Sequence, residues 1–171
     1  MASPKIGRKE VIYEDAYHQL FRVTADFGDI KKEYVVRDSG ERAGIVVVKD
    51  KSVLLVRQYR LLINGLSWEI PGGKVNAGED PEDGVVRECL EETGMQCSDL
   101  QHLLTFQPGL DTLHNPTYLF YTRSVIDTGE KVTNPYEVTS HEWVPLERCI
   151  EMIFDNQIAD GLSIVALLSY R

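Results

Sequence analysis

Two apolar runs, Ile45-Val46-Val47-Val48 and Val53-Leu54-Leu55-Val56, stand four residues apart across Lys49-Asp50-Lys51-Ser52. A strand with one wet face alternates polar and apolar side chains, whereas an unbroken run of Val, Ile and Leu marks a strand covered on both faces. Other elements must therefore pack on both sides of this part of the chain.

The rest of the pattern agrees with a layered α/β fold. Residues 17–25, 30–37, 43–49 and 53–59 are rich in β-branched and aromatic side chains, and Phe27-Gly28-Asp29, Asp38-Ser39-Gly40 and Lys49-Asp50-Lys51 separate them as turns. This spacing predicts antiparallel hairpins. Strands are expected again at 100–106, 117–122 and 142–144, and helices at 146–156 and 161–170. Strands, a helix, strands and helices in that order predict a mixed sheet with helices packed on it. The chain has 171 residues, about one domain's worth, and its first eight residues are expected to be disordered.

Composition excludes several classes. The chain is 43% apolar and 9% aromatic, enough to close a core. Its 27 acidic and 18 basic side chains leave a net charge of −9, which argues against a nucleic acid polymer or an anionic membrane surface as partner. No apolar run is long enough to cross a bilayer, and the opening residues lack the apolar stretch of a secretory leader. Cys89, Cys97 and Cys149 are odd in number and form no C-x-x-C, so neither a disulfide framework nor a zinc site is indicated. Reduced thiols and a cytoplasmic location are the expectation.

The charge is concentrated. Residues 79–92 carry seven acids and one base, Arg87. They follow Pro71-Gly72-Gly73-Lys74-Val75-Asn76-Ala77-Gly78, read as a loop whose glycines permit unusual backbone angles and close approach of a ligand. A helix should then begin, with Asp80 as N-cap, Pro81 at its first position and Gly94 just past its end. Glu82 and Asp83 suit the positive end of the helix dipole, but Glu88, Glu91 and Glu92 lie in the last two turns, where they oppose it. At 100° per residue these three fall within about 100° of one another. That strip is expected to lie opposite Val86 and Leu90, the side chains read as packing on the sheet. Their mutual repulsion, roughly 0.2–0.5 kcal/mol per pair, becomes binding if a cation is present. Carboxylates on a rigid element suit Mg²⁺ or Mn²⁺, hard ions that take oxygen ligands and share phosphate oxygens with a substrate. A bare Glu-x-x-Glu-Glu is equally the pattern of a solvated helix face.

The longer pattern is more specific. From Gly73 the chain reads Gly73, five residues, Glu79, seven residues, Arg87-Glu88-Cys89, Leu90, Glu91-Glu92, Thr93, Gly94-Met95. This resembles the Nudix box, G-x5-E-x7-R-E-U-x-E-E-x-G-U with U apolar, and Cys89 fills an apolar position as a small hydrophobe. The resemblance implies an α/β/α sandwich that catalyses attack of water on the phosphoanhydride of a nucleoside diphosphate linked to another group. It makes Glu88, Glu91 and Glu92 the metal ligands, with the Gly72 carbonyl as a further one. Glu79 and Arg87 would pair to hold the loop on the helix, while Gly73 and Gly94 serve the backbone.

Outside the box the chain is similar to the ADP-ribose pyrophosphatase and nucleoside-diphosphate-sugar branch. Val56-Arg57-Gln58-Tyr59-Arg60 looks like that branch's strand motif, whose last Arg reaches the phosphates. Trp68-Glu69-Ile70-Pro71-Gly72-Gly73 is similar to its W-E-[LI]-P-A-G, with Gly72 where Ala is commoner. Gln107-Pro108-Gly109 and residues 160–168 also resemble it. By this resemblance Arg60 contacts phosphate, Glu69 orients Arg60 or binds a ribose hydroxyl, and Pro108 and His114 lie near the terminal sugar. Pro108 comes slightly early and residues 110–116 form a longer loop than usual. Glu137 has the best-matching offset for a general base, with Glu130 and Glu142 as rivals. Residues 1–40 resemble the small N-terminal antiparallel sheet through which this branch exchanges between subunits, so a homodimer is expected, with 41–171 as the hydrolase domain. The implied reaction cleaves ADP-ribose or a related nucleotide sugar to a nucleoside monophosphate and a sugar phosphate. A GDP-mannose-type pyrophosphatase is the enzymatic alternative, and a non-catalytic nucleotide-binding regulator the alternative from another class.

Overall fold

The computed structural model describes residues 3–130 and 138–171. In chain order the elements are β1 (Lys5–Ile6), β2 (Glu10–Glu14), β3 (Gln19–Asp26), β4 (Lys31–Asp38), β5 (Arg42–Lys49), β6 (Ser52–Arg60), β7 (Gly65–Glu69) and β8 (Gly72–Lys74). Helix α1 (Pro81–Thr93) precedes β9 (Met95–Ser98), β10 (Gln101–Phe106), β11 (Leu113–His114) and β12 (Thr117–Thr122). Then come β13 (Ser124–Asp127), β14 (Val138–Pro145), α2 (Leu146–Phe154) and α3 (Gly161–Tyr170). No helix among the described residues is long and apolar enough to cross a membrane.

The chain divides into two units. The first holds residues Met1–Gly40 and Gln107–Pro116, although the sequence reading kept the second of these segments with 41–171. Here β3 pairs antiparallel with β1, β2 and β4, and β11 adds parallel to β4, aligning Leu113 with Arg37 and His114 with Asp38. The Arg37 and Ser39 N–H groups donate to the Thr112 and His114 carbonyls, so the middle of the 110–116 loop adds a short strand to this sheet. The expected disorder of residues 1–8 is not found throughout, because Lys5 and Ile6 pair with Asp26 and Ala25.

The second unit holds Glu41–Phe106 and Thr117–Arg171. Its main sheet is mixed: β5 runs parallel to β12 and antiparallel to β6 and β8, while β6 also pairs with β7 and β14. The two apolar runs lie in β5 and β6, and their side chains divide between the faces. Ile45, Val47 and Leu54 join a core with Val85 and Cys89 of α1. Val46, Val48, Val53 and Leu55 join another with Cys149 and Met152 of α2 and Ala166 and Leu167 of α3. Helices on both faces complete an α/β/α sandwich. The 38–40 turn does not make a hairpin, since β4 pairs with β3 and β11 while β5 belongs to the other sheet. Two further expectations are revised: residues 72–74 of the glycine loop form β8 against β5, and α2 ends at Phe154.

Candidate active site

The site is assembled where α1 faces β6 and β8. Asp80 caps α1 by accepting from the Glu82 N–H at 2.9 Å, Pro81 occupies the first turn, and Gly94 ends the helix at φ 70°. These features fix where the helix begins and ends, but the face it packs differs from the expected one. Val85, Cys89 and Thr93 are buried, whereas Val86 and Leu90 are half-buried. The carboxylate strip therefore borders the core-facing side, because Glu92 lies about one turn from Cys89 and about two turns from Val85 along the same side of the helix.

Glu92 consequently points inward. Its Oε2 accepts from the Gly72 N–H at 3.0 Å and its Oε1 from the side-chain amide of Gln58. Burial pushes its pKa up to about 8; the Glu88 charge adds to this, while the Gly72 and Gln58 donors oppose it. Gln58, on β6, is only 2% exposed. The sequence reading did not single it out, yet the signal was present: in Val56-Arg57-Gln58-Tyr59-Arg60 the alternation turns Gln58 inward, and an inward polar residue needs a partner.

Arg87 organises the remaining carboxylates. Its Nε and Nη2 donate to Glu79 Oε1 and Oε2 at 2.9 and 3.0 Å, and Nη2 also reaches the Lys74 carbonyl at 3.1 Å. Nη1 contacts Glu88 at 2.9 Å and Glu91 at 3.4 Å. The guanidinium, helped by the Asn76 N–H, lowers the Glu79 pKa to about 2. Burial raises that of Glu88, against the opposing effect of Arg87. A Cβ at Gly73 would meet the Glu88 carboxylate, so a side chain there would displace that carboxylate from its present place against β8. Gly72 is constrained by backbone, since a Cβ would meet the Ala43 carbonyl and come within 2.7 Å of Gly44 Cα.

On β6 and β7, Arg60 donates to Glu69 through two bonds, Nε to Oε1 at 2.8 Å and Nη2 to Oε2 at 2.6 Å. Glu69 is nearly buried, and the positive charge of Arg60 acts on Glu92. The following segment is anchored from α3: Asp160 caps that helix through Ser163, whose Oγ accepts from the Ile70 N–H at 3.0 Å. Thus Arg60, Glu69, Gly72, Gly73, Glu79, Arg87, Glu88, Glu91, Glu92 and Gly94 all belong to the second unit. Pro108 and His114 belong to the first, where His114 Nδ1 lies 3.1 Å from Asp38 Oδ1. Glu130 is exposed, Glu142 is exposed on β14 opposite Leu55, and Glu137 lies outside the described residues. Among the described residues, no three His, Cys, Asp or Glu side chains converge to hold a metal ion. The carboxylates are nonetheless the right donor type for a hard divalent ion, and Arg87 occupies part of their valence.

The NUDIX domain family matches residues 38–161. This chain belongs to the NUDIX family. A NUDIX hydrolase fold also accounts for its likeness to a crystal structure of an ADP compounds hydrolase, with a TM-score of 0.86 at 18% identity over 100% of this chain and 94% of that one. A CMP-5'-(N-acetyl-N-hydroxy-3-aminopropyl)phosphonate hydrolase of Streptomyces rubellomurinus is 30% identical over 173 residues, covering 96% of this chain and 81% of the relative. The ADP-ribose pyrophosphatase of Bacillus subtilis is 27% identical over 142 residues, covering 82% and 76%. The Bacillus subtilis relative and the family match together support the ADP-ribose pyrophosphatase branch of the NUDIX family as this chain's surroundings.

Proposed function

We propose that this NUDIX protein hydrolyses the pyrophosphate bond of ADP-ribose or a related nucleoside diphosphate sugar, giving a nucleoside monophosphate and a sugar phosphate. The observation that carries the reading is the placement of Arg60, fixed by both oxygens of Glu69, on the strand whose Gln58 holds Glu92. A guanidinium held in one plane suits two-point contact with a phosphate, and the carboxylate strip of α1 stands beside it.

Glu88, Glu91, Glu92 and the Gly72 carbonyl would hold Mg²⁺, or Mn²⁺ in its place. When bound, the metal would neutralise phosphate charge and make a bound water more acidic. The chain's own groups do the rest. Gly72 N–H and Gln58 fix the Glu92 carboxylate, the Glu79–Arg87 pair fixes the loop to the helix, and Glu69 fixes the phosphate-binding Arg60. Glu137 is the candidate for accepting the proton of the attacking water, and Pro108 and His114 for contacts at the far end of the substrate.

A homodimer in which residues 1–40 form the exchanged region is part of this reading. It is supported by exposed apolar side chains in the first unit, Ile6, Val11, Tyr13 and Val35 among them. A cytoplasmic location fits three free buried thiols, and the net charge of −9 fits a small-molecule substrate better than a nucleic acid polymer. A second reading is favoured by the Streptomyces relative, whose name specifies a cytidine monophosphate joined to a phosphonate.

The test is a substrate panel with and without Mg²⁺: ADP-ribose, GDP-mannose, UDP-sugars and a CMP-linked phosphonate, read by phosphatase-coupled phosphate release. The expected result is metal-dependent turnover fastest on ADP-ribose. Little turnover of ADP-ribose beside fast turnover of another member would overturn the substrate. In the same assay, Glu92→Gln is expected to lower kcat by roughly a hundredfold or more with the fold intact, and unchanged activity would refute its role.

A further inference from the structure

The second unit contains a cavity of 1090 Å³ at the turn between β5 and β6, at the upper end of the roughly 300–1,000 Å³ typical of small-ligand sites. It is remote from the carboxylates along the sheet. The β8 strand of the candidate active site pairs with Arg42, Ala43 and Gly44 at the start of β5, whereas Val48 and Lys49 at the end of β5 border the cavity.

Its lining has three kinds of chemistry. Tyr121 and Tyr170 form an aromatic corner, with ring centroids 5.2 Å apart and planes tilted by 55°, and Val48, Leu103 and Leu146 extend the apolar wall. Lys49, Lys51 and Arg123 supply positive charge. Among the described residues none of these three forms an ion pair with a carboxylate; Arg123 instead donates through Nε and Nη2 to the Tyr170 hydroxyl, at 3.2 and 3.1 Å. Asp50 and Glu147 supply carboxylate acceptors on the same wall.

The turn that presents Asp50 and Lys51 is itself unusual. Both residues have left-handed backbone angles, φ 49° and 64°, in a two-residue hairpin position where Asn-Gly is the comfortable choice. The Lys51 carbonyl accepts from the Leu146 N–H at 3.1 Å, which ties the turn to the start of α2. The turn thus keeps two charged side chains where glycine would relieve the backbone.

We propose that this cavity is a second ligand site, separate from the carboxylate site, which binds a nucleoside 5'-monophosphate. The aromatic corner and apolar wall receive the base, Lys49, Lys51 and Arg123 receive the phosphate, and Asp50 and Glu147 accept from the ribose hydroxyls. An apolar ligand would leave three cations unused, and inorganic phosphate would leave the aromatic wall unused.

The test is calorimetric titration of AMP into the full chain in the presence of a chelator, so that metal-dependent binding is excluded. The wild type, the double variant Lys51→Glu/Arg123→Gln, the single variant Lys49→Glu and Arg60→Gln are compared, each checked for folding by circular dichroism. The proposal expects one AMP bound by the wild type and by Arg60→Gln. It expects affinity lower by about tenfold or more in the double variant and in Lys49→Glu, and similarly weaker binding of adenosine and of inorganic phosphate alone. Absence of metal-free AMP binding at millimolar concentration would overturn it. So would binding lost in Arg60→Gln and kept in the other variants, or phosphate binding as tightly as AMP. These readouts need no turnover, so failure here leaves the hydrolase reading standing, and the converse also holds.

Discussion

The Gln58 amide donates to Glu92 Oε1 from the strand facing α1, while the Gly72 N–H donates to the other oxygen. The carboxylate is therefore oriented by two neutral donors from two different strands. Gln58→Leu is expected to remove one of them and leave Glu92 partly unsatisfied in a buried position. Partners of metal-ligating carboxylates typically contribute about 10–100-fold in metal affinity or activity, and a fall of that size is expected in both kcat and Mn²⁺ affinity. The second quantity is read by electron paramagnetic resonance of the free ion. Unaltered Mn²⁺ affinity would show that Gln58 serves packing alone.

Arg60 and Glu69 form a pair of unequal burial, the acid nearly enclosed and the base one-third exposed. Arg60→Leu should cost about 2–4 kcal/mol because it leaves a carboxylate buried without its partner. Adding Glu69→Gln should recover part of that loss. Urea denaturation of the wild type, both single variants and the double variant measures the coupling, and simple additivity would contradict it.

Glu79 gives the acid side of the stability profile a definite shape. Its carboxyl is lowered from an ordinary 4.5 to about 2, chiefly by Arg87. A lowered carboxyl contributes stability that is complete above the unfolded value and is lost as pH falls through the folded one. The pair should therefore weaken between about pH 4.5 and 2. Because the pair is half-buried and still reached by solvent, its size should be about 1 kcal/mol. In Glu79→Gln the slope of stability against pH across that window should be shallower than in the wild type, as measured by chemical denaturation at stepped pH.

Gly72 stands where Ala is commoner in the resembling branch, yet here a Cβ would meet the Ala43 carbonyl. Gly72→Ala is expected to destabilise the protein by about 1–3 kcal/mol and to loosen β8 from β5. Hydrogen exchange of the amides in residues 72–75 should then accelerate. An alanine variant with wild-type stability would mean that β8 shifts without cost.

Much of the central framework could be read directly. The unbroken apolar runs of β5 and β6 indicate elements packed on both faces, which prove to be helices, and Asp80, Pro81 and Gly94 mark both ends of α1 through backbone preferences that act locally. What escaped reading depends on partners distant in sequence. The rotation of α1 put Val85 and Cys89 inward because both sides of the helix offer apolar residues, and the surrounding core selects between them. Residues 110–116 lack a strand's apolar alternation, since β11 is only two residues long and is defined by its pairing with β4. Gln58 lies within the Val56–Arg60 motif, where its inward register is legible but its partner Glu92, 34 residues away, is not.

The pairing of β11 with β4 also bears on how such a chain can be inherited. The first unit is written in two separate stretches of sequence, so a recombination event joining a foreign leading segment at residue 40 would bring in a new sheet without the strand that completes it. The Thr112 and His114 carbonyls accept from the backbone N–H groups of Arg37 and Ser39, so a foreign segment would have to bring its own N–H groups to the same two places. Exchange of the leading segment between relatives is therefore expected to succeed most readily when residues 107–116 travel with it.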